Sequence, residues 1–299
     1  SGTIYKTGGA VTLTTEGGTN AADIEISFSG ANPFIATSGD NVSFVGGDVS
    51  LGNGSNLTID TNIANSGESN GGNISIAGGI DGTSDENLTL DAHSSGTGTI
   101  TLAKVGGGDT PASSAAEINT LTATAGGGIT LGGDITTANH TGAKLDVTGP
   151  VTLGTNVEIL TDTASVDGSI TFNSSATVDG NNELVVKSGG GAVKFQGAIG
   201  ETTKLAKLSV NETAETGTIE IANIGDATGG SVNVGVTGQT DIGNSATTTL
   251  TLDGTTYSFN GQTTFEASSS GNGILITGAS PTISTDADNL AFNLSLIHI

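Results

Sequence analysis

The stretch GGGAVKFQGAIGETTKLAKLSV, residues 189–210, decides how the chain folds. It opens on three glycines and alternates apolar with polar residues through Val193 and Phe195. It then turns, and alternates again through Leu208 and Val210. Strict alternation marks a strand with one buried face. The opening phrase, Gly-x-Ile/Val-x-Leu/Ile/Phe, recurs along the chain. It reads GAVTL at Gly9, GDVSL at Gly47, GNISI at Gly72, GTITL at Gly98, GGITL at Gly127, GPVTL at Gly149, GSITF at Gly168, GAVKF at Gly191 and GTIEI at Gly217. From Gly47 onward the copies are spaced by 25, 26, 29, 22, 19, 23 and 26 residues.

A further apolar residue often follows the phrase: Ile80, Val105, Ile135, Ile199 or Ile224. A second alternating block comes later in each unit: NLTLDA at Asn87, AKLDVTG at Ala143, ELVVKS at Glu183, AKLSV at Ala206 and SVNVGV at Ser231. Gly, Asn, Asp and Ser fill the joints, where turns demand positive φ or side-chain caps. Each unit therefore holds two or three short strands and cannot bury its apolar face alone. Stacking unit on unit solves this, each strand pairing with its copy in the next. The expected fold is all-β, a right-handed parallel β-helix (β-solenoid) of roughly two dozen residues per coil. Uneven spacing is accommodated by loops that bulge outward.

Residues 1–46 read as an irregular β segment holding the first coils, and residues 47–240 as regular solenoid repeats. Residues 241–293 read as less regular coils. Within them, residues 247–267 fit either two further coils or a hairpin-like excursion. PASSAAEINTL, residues 111–121, reads as a turn of helix on an outward loop. The terminal LSLIHI, residues 294–299, is also the translation of a DNA string resembling a transposon-end sequencing adapter. It is set aside as read-through rather than native sequence. The chain starts at Ser1 and holds no Met, so its true start is expected upstream.

Composition narrows the function classes. With 49 glycines, eight Phe, two Tyr and no Trp, the core must be built from Ile, Leu, Val and Ala. The formal charge is −23, and all seven basic residues are lysines. Phosphate neutralisation needs basic groups, so nucleic-acid binding is excluded, as is attraction to an anionic membrane surface. No run approaches the ~20 apolar residues of a spanning helix. The absence of Cys removes disulfides and thiolate metal sites.

The unit GAVKFQGAIGETTKLAKLSV resembles the repeat of filamentous-haemagglutinin-like adhesins and autotransporter passengers, large bacterial surface β-helix proteins. Ala198, Ile199 and Gly200 match the first corner, and Leu205, Leu208 and Val210 the last strand. Glu201 departs from the pattern, standing where a second Gly is frequent. The resemblance covers about residues 47–240. It implies an extracellular, surface-tethered shaft without catalytic residues. Such a shaft gives reach and adhesion toward a host or neighbouring cell surface, glycans included, with flanking coils of the same chain as its axial partners.

Chemistry-bearing residues are sparse. Asp91-x-His93 and His140 lie in polar joints, where turn residues are the stronger reading. A polysaccharide-cleaving or carbohydrate-binding β-helix is the rival class. Lyases of that shape use Arg or Lys beside calcium-binding Asp, and this chain has no Arg. Its lysines gather at Lys187, Lys194, Lys204 and Lys207. A two-carboxylate hydrolase escapes that objection. For calcium, DGTSDEN supplies Asp81 and Asp85, and DADN supplies Asp286 and Asp288. Neither has EF-hand order or a tandem GGxGxD repeat, so solvated acidic turns are favoured and no cofactor is assigned. Thr12/Thr14 and Thr249/Thr251 form Thr-x-Thr pairs without a common register. Asn56 and Asn87 head Asn-x-Thr sequons.

Overall fold

The computed structural model describes residues 4–14, 26–28, 32–52, 54–63, 70–82, 86–107, 117–137, 142, 144–163, 166–226, 235–286 and 288–294. Among them every regular element is a strand. The chain divides into two compact units, Ser1–Pro150 and Val151–Ile299. Each is a parallel β-solenoid whose coils contribute strands to three faces.

In the first unit, the first face stacks Val11–Thr14, Val42–Val45, Ile74–Asp81, Ile100–Val105 and Ile129–Leu131 in register. The second runs from Ile26–Phe28 to Val49–Leu51, then through Ile80, Val105 and Ile135. The third stacks Ile4–Thr7, Phe34–Thr37, Asn56–Asp60, Asn87–Asp91, Thr120–Thr124 and Lys144–Thr148. Like apolar residues therefore sit above like. Val42, Ile74, Ile100 and Ile129 form one buried column, and Leu57, Leu88, Leu121 and Leu145 another.

The second unit repeats the plan. Ile170, Val193, Ile219, Leu250 and Ile274 are successive partners on the first face. On the second face Val178, Ile199, Ile224, Tyr257 and Ile283 follow one another. On the third, Val157, Leu184, Leu208, Thr240, Thr263 and Leu290 do so. Residues 189–210 make one coil of this stack: Val193–Ile199 serves two faces, and Lys207–Val210 the third. The register slips between Phe195 and Ala198, so a bulge turns the strand from the first face onto the second.

The glycines that open most of these phrases, Gly72, Gly98, Gly127, Gly149, Gly191 and Gly217, have a packing reason. A Cβ on Gly217 would fall onto the carbonyl of Gly191, its counterpart one coil back, and a Cβ on Gly191 onto that of Gly168. At this corner the coils approach backbone to backbone, which only Gly permits. The opposite side of the corner carries a buried hydroxyl or amide. Thr61 Oγ1 donates to the carbonyl of Gly72, Thr161 Oγ1 to Gly168, and Ser188 Oγ to Gly191. Buried main-chain acceptors are thereby satisfied where the ladder is interrupted.

Asparagines bind coil to coil. Asn56 Nδ2 donates to Asn32 Oδ1 at 3.0 Å, Asn87 Nδ2 to Asn56 Oδ1, and Asn119 Nδ2 to Asn87 Oδ1 at 3.3 Å. Both sequon asparagines thus belong to a ladder of side-chain amides.

The repeat differs from its sequence reading in three places. GDVSL and GPVTL fit the phrase, yet Val49 and Val151 pair with Ile80 and Val178 on the second face. Both faces share the same two-residue alternation, so the phrase alone does not assign the face. Residues 247–267 form parallel strands, Thr249–Leu252, Thr256–Phe259 and Thr263–Ala267, one per face, with no hairpin among them. Of SVNVGV, Gly235 and Val236 are described, and the third-face strand of that coil is Thr240–Ile242. The helical turn expected in 111–121 falls largely on residues outside those described. Of LSLIHI, Leu294 closes the strand Leu290–Leu294, and residues 295–299 lie outside the described residues.

Candidate functional site

The corner between the third and first faces carries a cleft in the second unit. Three consecutive coils supply it. In the first, the chain leaves the strand Val157–Leu160 and makes a small outward hairpin of Asp162–Thr163 and Val166–Asp167. In the next, Gly189 and Gly190 cross the same corner. In the third, residues 213–216 do so. The cleft holds about 290 Å³ and is lined by Asp162, Asp167, Gly189, Gly190, Glu215 and the loop before and after Glu215.

Asp162 and Asp167 are direct partners across the antiparallel hairpin, an arrangement that costs stability between like charges. Their carboxylates lean over the diglycine. A Cβ on Gly189 would fall on the Oδ1 atoms of both, and a Cβ on Gly190 near Asp167 Oδ2 and Thr216 Oγ1. Gly189 also has φ of 60°, so this turn requires glycine twice over. Burial pushes the Asp162 carboxyl above the usual range, and the Asp167 charge adds to the rise.

Glu215 is 6% exposed, and its Oε2 has no hydrogen-bond partner. Burial raises its pKa. The backbone N–H groups of Glu215 and Thr213 oppose the rise, the Asp162 charge reinforces it and the Lys187 charge weakens it. Lys187 is itself committed elsewhere, its Nζ lying 2.9 Å from Glu158 Oε2. The Glu215 loop is strained and braced from behind. Asn211 and Ala214 take left-handed φ values of 48° and 60°, while Asn244 Nδ2 donates to the carbonyls of Asn211 and Glu215.

The residues singled out in the sequence fall elsewhere. His93 sits in the left-handed region at φ 68°, its backbone N–H donating to Asp91 Oδ1 at 2.8 Å. Asp91-x-His93 is therefore a side-chain-capped turn, with His93 Nε2 3.1 Å from Ser95 Oγ. His140 lies outside the described residues. Lys194 pairs with Glu220 of the next coil at 3.1 Å, an exposed pair of small energetic weight. Asp81 ends the strand Ile74–Asp81, with Ser50 as its ladder partner, and Asp85 lies outside the described residues. The Asp286 backbone N–H donates to the carbonyl of Phe259, and Asp288 follows two residues on. Among the described residues no group of three or more His, Cys, Asp or Glu is placed to hold a metal ion.

Sequence reasoning missed Asp162, Asp167 and Glu215 because each sits in an ordinary polar joint. The usable signal was positional: TDTASVDG, SGGG and NETAETG each follow a third-face strand, so stacking brings them to one corner. Neither the family models, the curated proteins nor the solved structures contain a match to this chain.

Proposed function

We propose that the chain is a non-catalytic segment of the shaft of a secreted bacterial surface adhesin. The supporting observation is the unbroken succession of register-matched parallel strands on all three faces of each unit. Coil after coil places buried, mostly aliphatic residues above one another in register. Such a stack is extended by adding coils, and its stability is a sum of coil and neighbour terms. In the second unit Leu275, Ile276 and Phe292 are exposed on the strands Gly273–Ile276 and Leu290–Leu294. Ile276 and Phe292, ladder partners of the buried Leu252 and Phe265, present apolar surface on which a further coil would stack. A surface of net charge −23 keeps an extended object of this kind soluble.

A carbohydrate-cleaving module is the second reading, and the Asp162–Asp167 pair is the observation in its favour. Against it, Tyr257, Phe172, Phe195, Phe259 and Phe265 are all fully buried, so none offers a sugar a stacking face.

The test is functional and uses the intact chain. Beads coated with it are placed on host-cell monolayers and glycan surfaces, and the same protein is incubated with a polysaccharide panel. The shaft reading expects bead retention that grows when flanking coils from the native reading frame are included, with no release of reducing ends. Sugar release that disappears in Asp162→Asn would overturn it in favour of the hydrolase.

A further inference from the structure

We infer that Asn272, which leads into the first-face strand Gly273–Ile276, is a site of spontaneous deamidation in the folded chain, with water as the co-reactant. This goes beyond the shaft reading and does not depend on it. The sequence holds four Asn-Gly dipeptides, at Asn53, Asn70, Asn260 and Asn272. In such a pair no side chain crowds the glycine nitrogen, so it can reach the asparagine side-chain carbonyl. Folding then decides which pair reacts, because ring closure requires both residues to rotate out of their packed conformation. Asn53 lies outside the described residues.

Two of the pairs are clamped. Gly71 is buried, and a Cβ on it would fall 2.3 Å from the carbonyl oxygen of Ala92. The Asn260 N–H donates to the carbonyl of Val236 at 2.9 Å, and Gly261 meets the backbone of Gly238, where an added Cβ would lie 2.3 Å from the carbonyl oxygen. From the coil ahead, the Asp286 N–H donates to the carbonyl of Phe259, and the Asn289 carbonyl accepts from the N–H of Thr263. Asn260 and Gly261 are therefore held from both sides.

Asn272 differs. It is exposed, and among the described residues its strand has a ladder partner on one side only, Thr249–Leu252. The Asn272 N–H donates to the carbonyl of Thr248 at 3.1 Å. Its Nδ2 donates to Thr249 Oγ1 at 3.4 Å, near the outer limit of a hydrogen bond. Both restraints come from the coil behind. Leu275 and Ile276, further along the strand, are exposed, so little apolar burial holds it down. A strand of this kind opens locally at low cost.

The reaction balances without a cofactor. The Gly273 nitrogen, having given its proton to solvent, bonds to Asn272 Cγ. The Cγ–Nδ2 bond breaks, and Nδ2 leaves as ammonia with a proton taken from water. Water then opens the succinimide ring at either carbonyl, giving aspartate or its β-linked isomer. An amide and water have become a carboxylate and ammonium, and nothing is oxidised or reduced. Each event adds a negative charge. The β-linked product also lengthens the main chain by one atom where Gly273 pairs with Thr249, so the register is lost at that rung.

The experiment incubates the intact folded chain in mildly alkaline buffer and samples it over days. Peptide mass mapping follows the mass gain at each Asn-Gly, and electron-transfer fragmentation separates aspartate from isoaspartate. A parallel sample is held unfolded in guanidinium. In the folded chain Asn272 should react at least about tenfold faster than Asn260 or Asn70, because those two must first break coil packing. In guanidinium the three rates should converge. Asn272→Gln should abolish the product at that position and leave the rates at Asn260 and Asn70 unchanged. A folded-chain rate at Asn272 no greater than that at Asn260, or an Asn272 that reacts only in guanidinium, would overturn the assignment.

Discussion

Phe172 and Phe195 lie one above the other in consecutive coils, their ring centroids 4.8 Å apart and their planes 5° from parallel. They occupy the same register position on the first face, and neither is exposed. In a core made mostly of aliphatic residues, this pair fills a section that Leu and Ile fill elsewhere. Phe195→Ala leaves a cavity with rigid backbone above and below it. We expect a loss of ~3–5 kcal/mol, read as a lowered denaturation midpoint in urea. Phe195→Leu should recover most of it.

Thr240 interrupts a buried column on the third face. Its partners are Leu208 and Thr263, it is fully buried, and its Oγ1 has no hydrogen-bond partner. Thr263 differs, because its Oγ1 donates to the carbonyl of Gly261 at 3.1 Å. Thr240→Val removes an unsatisfied hydroxyl and should stabilise the protein by ~1 kcal/mol. Thr263→Val should not. Equilibrium unfolding of the two variants side by side separates these cases.

Gly217 and Gly9 open the same phrase in different surroundings. A side chain at Gly217 meets the backbone of Gly191, whereas one at Gly9 meets nothing within 4 Å. Gly217→Ala should therefore cost more than ~1 kcal/mol. Gly9→Ala should be neutral or gain up to ~1 kcal/mol through the unfolded chain. Thermal melts of both variants test the contrast.

Tyr257 is the largest fully buried side chain among the described residues. Its hydroxyl donates to the carbonyl of Ile221 and accepts from the N–H of Gly254, and burial pushes its pKa up to about 12 from 10.0. Above pH 10 the unfolded chain releases this proton while the folded chain keeps it. Stability present below pH 10 is therefore lost as pH rises through about 12. Tyr257→Phe should remove that alkaline slope. The carboxyls of Asp162, Glu215, Asp241 and Asp253 are also raised by burial, so they too favour folding at lower pH. Mild acidification from neutrality should raise Tm, and the gain should shrink in Glu215→Gln.

Fold class was legible because alternation and glycine punctuation survive every coil: Val193, Ile219 and their neighbours announce a buried strand wherever they occur. Face assignment was not legible. Val151 and Val193 of the second unit have the same local pattern but occupy different faces, and corner geometry decides between them. Among the described residues of the early and late segments, Val11 pairs with Val42 and Thr263 with Leu290 in parallel register. The cleft was invisible for a different reason. Asp162 and Glu215 belong to separate coils, and only the stacking register brings them to one corner.

Stacked parallel register is the central claim, and the absence of native Cys allows it to be tested cleanly. Thr89 and Thr122 are ladder partners in adjacent coils, both on the outward side of strands whose Leu neighbours are buried. Register partners about 4.8 Å apart lie within disulfide reach, whereas a shift of two residues exceeds it. The measurement is the rate and extent of disulfide formation in Thr89→Cys/Thr122→Cys against Thr89→Cys/Thr124→Cys under mild oxidation. Stacked coils predict rapid, nearly complete cross-linking in the first pair and little in the second. Equal cross-linking in both pairs, or none in the first with the protein folded, would contradict the parallel solenoid and the shaft built on it.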